Sequence, residues 1–175
     1  MKRALPVLAT LGVLACSSPR EDPARHGSAA TRLRPPTSPL PEPTLQRTVY
    51  VPVYSSIYHS DAGHGMVELA VTVSVRNVSA RQRLRLDHVR YYGSDGALIR
   101  EYLRTPAELA PLATVEFVLR QLDKAGGPGA NFLVQWTAAA DIDEPLMEAV
   151  MIGHAGSVGY SFTSPGRSIK NEPLP

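Results

Sequence analysis

The most constraining stretch of this 175-residue chain is residues 66–77, MVELAVTVSVRN. Val67, Leu69, Val71, Val73 and Val75 occupy every second position, with Glu68, Ala70, Thr72, Ser74 and Arg76 between them. A period of two marks a strand with one face in a core and the other outside it. Its β-branched valines suit a pleated surface better than a helix. Such a strand must be covered by a second apolar layer, so the chain has to build a sheet and pack something against it.

Shorter pieces beyond residue 48 repeat the pattern. Residues 49–54 set Val49, Val51 and Val53 against Tyr50, Pro52 and Tyr54. Pro52 points to an edge strand or a bulge, because it cannot donate to a ladder. Residues 84–92 and 97–103 flank Gly93-Ser94-Asp95-Gly96, a hairpin turn in which Asp-Gly tolerates positive φ. Residues 114–119, 132–137 and 149–152 add three apolar strands, and no helix-length stretch shows a 3.6 period. The prediction is an all-β fold, an immunoglobulin-like antiparallel β-sandwich of about seven strands. It lacks the immunoglobulin disulfide, since the chain has one cysteine. Phe132, Val134 and Trp136 share a strand face and are expected to pack across the sandwich against the Val67–Val75 face.

That one cysteine, Cys16, follows a basic start and an apolar run (residues 4–15) of the kind found in secretory signals. Val13-Leu14-Ala15-Cys16 resembles a bacterial lipobox, which implies cleavage of residues 1–15, a diacylglycerol on the sulfur and an acylated amino terminus. Several acyl chains together hold a protein stably on a membrane. Ser17, where Asp would retain a lipoprotein at the inner membrane, implies an outer-membrane location facing the periplasm. Residues 16–47 are rich in Pro, Ser, Thr and Arg and read as a disordered tether. At about 3.1 Å per residue its reach is roughly 90 Å. Residues 48–170 are expected to form one domain, with 171–175 read as a flexible tail. Losing Lys2 and Arg3 takes the balance from 18 basic and 16 acidic residues to sixteen of each. A neutral mature chain gives no reason to expect nucleic acid as a partner.

Six stretches in order carry a wider resemblance: VYVPVYSSIYHSD (49–61), VRYYGSDGALIREYL (89–103), LAPLATVEFVL (109–119), GGPGANFLVQW (126–136), EAVMIGHAG (148–156) and GYSFTSPGR (159–167). Together they resemble the bacterial family called domain of unknown function 3124. The resemblance implies an exported, often lipid-anchored, small envelope protein. It brings no activity, substrate or catalytic residue.

The chemistry-bearing residues are few. His59, Asp61 and His64 would supply two imidazoles and a carboxylate to zinc or copper, or they are ordinary loop residues beside Gly63. No G-x-S-x-G elbow accompanies Ser60. Met147, Met151 and His154 suit soft Cu(I) in type, but methionines four apart on a strand are core fillers. The glycines of residues 126–131 precede a strand rather than a helix, so they form a loop rather than a phosphate cradle. Asn77-Val78-Ser79 matches a glycosylation acceptor incidentally. If residues 49–58 run as one unbroken strand, Tyr50, Tyr54 and Tyr58 form a row suited to binding, or else both faces of that strand are covered. The expectation is a non-enzymatic binding or structural module without a cofactor, attached to the membrane through Cys16. Its partner would be an envelope protein or glycan. The rival expectation is a metal-handling protein or enzyme using His59, Asp61 and His64.

Overall fold

The alternation at residues 66–76 forms a strand in the computed structural model, which describes residues 33–42, 44–59 and 65–170. Eleven strands follow one another among these residues, and none of them is helical. They are β1 (Thr44–Pro52), β2 (Ser56–Tyr58), β3 (Met66–Arg76), β4 (Leu84–Tyr92), β5 (Leu98–Leu103), β6 (Ala107–Leu109), β7 (Thr114–Leu119), β8 (Asn131–Ala139), β9 (Leu146–Ala155), β10 (Val158–Pro165) and β11 (Arg167–Ile169). The expected seven are all present. The extra four are β2, β6 and β11, too short at three residues for a period to show, and β10, whose Gly-Tyr-Ser-Phe-Thr-Ser lacks aliphatic alternation.

All pairings are antiparallel and make two sheets. A six-stranded sheet runs β11-β1-β8-β4-β5, with β6 sharing the outer side of β4. A five-stranded sheet runs β10-β9-β3-β2, with β7 also pairing β3. The immunoglobulin-like sandwich is therefore the architecture, as the alternation predicts. Val67 to Val75 of β3 and Phe132, Val134 and Trp136 of β8 lie in one core between the sheets. Trp136 and Phe132 are fully buried, and a buried aromatic residue of this size contributes several kcal/mol.

Three local features complete the frame. After Pro52, opposite Asn131 and beyond the reach of β11, the chain leaves the six-stranded sheet and enters the five-stranded one at Ser56. The loop at residues 126–130 is stitched down. Ser94 Oγ donates to Gly126 O (2.8 Å) and accepts from the Gly129 N–H (2.8 Å). A side chain at Gly126 would collide with the Tyr91 hydroxyl. Asn77 is buried: its amide donates to Gln82 O (2.8 Å) and Ala110 O (3.1 Å), and its oxygen accepts from the Ser79 N–H (3.1 Å).

The domain's contacts also begin before residue 48. β1 starts at Thr44, and residues 33–42 form a strap that bridges β6 at Arg34 and is held further on by Arg83. Arg34 and Glu108 exchange backbone hydrogen bonds of 3.1 and 2.7 Å. Arg83 Nη2 donates to Ser38 Oγ (2.6 Å) and Pro39 O (2.9 Å), while its Nε pairs with Glu108 (3.1 Å). Leu40 is buried, and Leu33 packs against the core. Proline-rich composition thus conceals a docked segment, because its anchors are two leucines, the Thr37 and Ser38 hydroxyls and backbone groups.

Candidate functional site

Burying one side of a strand turns the other side outward. With Val49, Val51, Val89, Tyr91, Phe132 and Val134 in the core, Thr48, Tyr50, His88, Arg90, Leu133 and Gln135 face out from the six-stranded sheet. Strand pairing then sets them in rows. One row runs Arg167, Tyr50, Leu133, Arg90, Glu101, and the next runs Ile169, Thr48, Gln135, His88.

Ion pairs and hydrogen bonds fix the β4 side of this face. Glu101 Oε1 lies 3.0 Å from His88 Nδ1 and 3.2 Å from Arg90 Nε. Those bonds, His88's first and then Arg90's, hold the Glu101 carboxyl below the usual carboxylate range. Burial opposes charge on Arg90. Hydrogen bonds with Glu101 and Tyr92 outweigh it, so the guanidinium is held above its ordinary value. A bulge between Leu86 and His88 sets Asp87 beside this network. Asp87 is buried, its Oδ1 accepting from Arg85 Nε (2.6 Å) and its Oδ2 from Thr137 Oγ1 (2.6 Å). The result is a face with half-buried Tyr50 and Leu133 at its middle and the clamped Glu101 carboxylate along one side, with the Asp87 carboxylate buried beneath. Chemically it offers fixed donors and acceptors around an apolar centre, which is the make-up of a recognition surface.

The sequence-derived candidates are placed differently. Tyr50 belongs to this face. Tyr54 sits in the crossover and meets Phe162 edge-on, with centroids 5.7 Å apart. Tyr58 is exposed on β2 in the other sheet. The single tyrosine row required an unbroken strand, and the break after Pro52 splits it. His59 is exposed and its backbone N–H donates to Gly65 O (3.0 Å), while Asp61 and His64 lie outside the described residues, as does Cys16. No metal-binding grouping of three His, Cys, Asp or Glu occurs among the described residues. Met147 and Met151 are core residues, and His154 faces out on the opposite side of β9.

A second cluster closes the gap between β5 and β7. Arg100 bonds the Tyr102 hydroxyl (3.0 Å) and Asp123 (3.2 Å), and Tyr102 rests on Phe117 and Phe132. Burial raises the Tyr102 phenol above its ordinary value despite Arg100, and burial does the same to Tyr91.

Fold and face together define a class: an antiparallel β-sandwich with an ordered polar platform on one outer side. The chain belongs to the family described as protein of unknown function DUF3124, which matches residues 46–169. A crystal structure of Thermotoga maritima 1070 is similar at a TM-score of 0.40 and 10% identity, over 69% of this chain and 92% of that one. Likeness at that level carries no argument. No curated protein matches the chain.

Proposed function

We propose that the chain is an exported, lipid-anchored envelope protein whose sandwich is a non-enzymatic binding module. Its partner, an envelope protein or glycan, docks on the outer face of the six-stranded sheet. The observation that supports this reading is the clamped row of Arg90, Glu101 and His88 beside Tyr50 and Leu133. Half-buried charges add little to folding, since desolvation offsets their attraction. Held in fixed geometry, they lower the ordering entropy that binding requires. The Cys16 lipobox and signal supply the export and anchoring half of the proposal.

Two measurements test it. Mass spectrometry of the protein from its native membrane should find an acylated amino-terminal Cys16, and Cys16→Ser should release it from the membrane. A photo-crosslinking residue at Leu133 in the full chain should trap envelope material. The same residue at Thr72, on the other sheet's outer face, should not. Equal trapping at both positions removes the platform from the proposal.

A further inference from the structure

A sandwich has open edges, and exposed edge strands pair with other chains unless they are short, charged, bulged or covered. Most edges here are protected. β11 has three residues and begins with Arg167. β5 carries Arg100 and Glu101 and pairs β4 through bulges. β6 is covered by the Arg34 bridge of the strap. β2 has three residues, and β7 carries Glu116. β10 is different: eight residues, VGYSFTSP, end the five-stranded sheet with no charge among them.

The phase of its backbone groups follows from the hairpin. Gly156 and Ser157 form a two-residue loop between paired Ala155 and Val158, with Gly156 at φ +58°. Such a loop closes on a hydrogen-bonded pair, and pairs then alternate along the ladder. Val158, Tyr160, Phe162 and Ser164 therefore turn their backbone groups to β9, while Gly159, Ser161 and Thr163 turn theirs outward. Pro165 falls in the outward phase, where its missing N–H ends any further ladder.

We infer that β10 is a self-pairing edge, joining two copies of this chain antiparallel about a two-fold axis at Ser161. In this register Ser161 faces Ser161 of the second copy and Gly159 faces Thr163. Each pair exchanges both of its backbone hydrogen bonds. All three outward residues are used, and Pro165 lies just past the paired segment. The same register sets Tyr160 opposite Phe162 of the second copy. Both rings are only half-buried in one chain, and aromatic cross-strand pairs favour association. The contact is isologous, so it closes at two copies. It uses a different surface from the platform and stands without it.

The full-length chain in detergent micelles tests the inference. A hydrogen-bonded antiparallel pair places Cα atoms about 5.5 Å apart, within disulfide reach. Ser161→Cys should therefore give, on mild oxidation, a product of twice the mass linked at residue 161. Thr163→Cys should not link to itself, being about 14 Å from its copy, but should link to Gly159→Cys when the two are mixed. Ser161→Asp and Ser161→Arg should each lower the dimer fraction at least tenfold by apposing like charges, and mixing the two should restore it. That rescue requires both variants to be folded. Failure of Ser161→Cys to dimerise, capture of a different protein at that position, or no rescue on mixing would overturn self-pairing.

Discussion

On the six-stranded sheet an outward row reads Arg167, Tyr50, Leu133, Arg90, Glu101; on the five-stranded sheet it reads Thr163, Val150, Thr72, Val118. Both rows sit on the same kind of pleat above the same core. The second is what strand propensity alone would select: β-branched side chains, with Val118 43% exposed and Ile152 nearby at 58%. The first holds charges partly out of water, which the fold does not require. A sandwich of this size folds with either kind of outer face. The difference therefore separates the residues that specify the structure from those available for recognition.

The largest test of that division is the shared core. Trp136→Ala should lower stability by about 3–5 kcal/mol, read by denaturant unfolding, and loosen both faces together. If the variant keeps its stability, the two sheets do not depend on a common interior. Asp87→Ala comes next, because it leaves Arg85 and Thr137 without their acceptor. A loss of about 2–3 kcal/mol is expected. An unchanged midpoint would mean that this bonding on the polar face is ornamental to stability.

Acidification reaches the same face without mutation. Glu101 is depressed in the folded protein, so its contribution is fully present above the unfolded carboxylate pKa of about 4.3. It is lost as pH falls from there through the lower folded value. Glu101→Gln should cost less than about 1 kcal/mol at pH 7, since solvent screens the pair, and flatten the acid limb of the stability curve. An acid limb identical to that of the unaltered protein would show the clamp to be thermodynamically silent. The smallest effect belongs to the plain face. Arg76 and Glu148 form a 3.2 Å ion pair there, with Arg76 exposed and Glu148 half-buried. Arg76→Gln should change stability by less than about 0.5 kcal/mol, and a larger loss would blur the contrast between the faces.

Much of this arrangement is legible in the chain itself. β3, the Gly93–Gly96 hairpin and the Phe132, Val134, Trp136 face follow from period two and turn chemistry, and each stands where expected. The polar platform is harder to see, because register decides it. A hairpin closed simply on Tyr92 and Ala97 would oppose His88 to Glu101. The turn closes instead on Gly93 and Ala97, and a bulge between Tyr91 and Tyr92 moves the register once more, so Glu101 stands opposite Arg90 and its carboxylate bonds both His88 and Arg90. His88 and Arg90 at alternate positions on one arm, with Glu101 on the other, were the available signal. Asn77 hides for another reason. Its carbonyl partners at Leu109 and Ala110 are some thirty residues away, and nothing local announces them.

Under the proposed anchoring at Cys16, the strap sets how high and which way the domain rides. With residues 33–42 fastened beside β6, only residues 17–32 separate the proposed lipid on Cys16 from the first docked position. Sixteen residues drawn out at about 3.1 Å each reach about 50 Å, little more than half of what the proline-rich composition suggests. A leash so anchored would also pull off-centre. It grips the side of the sandwich where β6 borders β4, whereas β10 lies at the other side, where β1 runs against β9 and β10. A load applied at one flank leaves the opposite flank unencumbered. Two neighbours moored to one bilayer could then meet edge to edge without either tether passing between them.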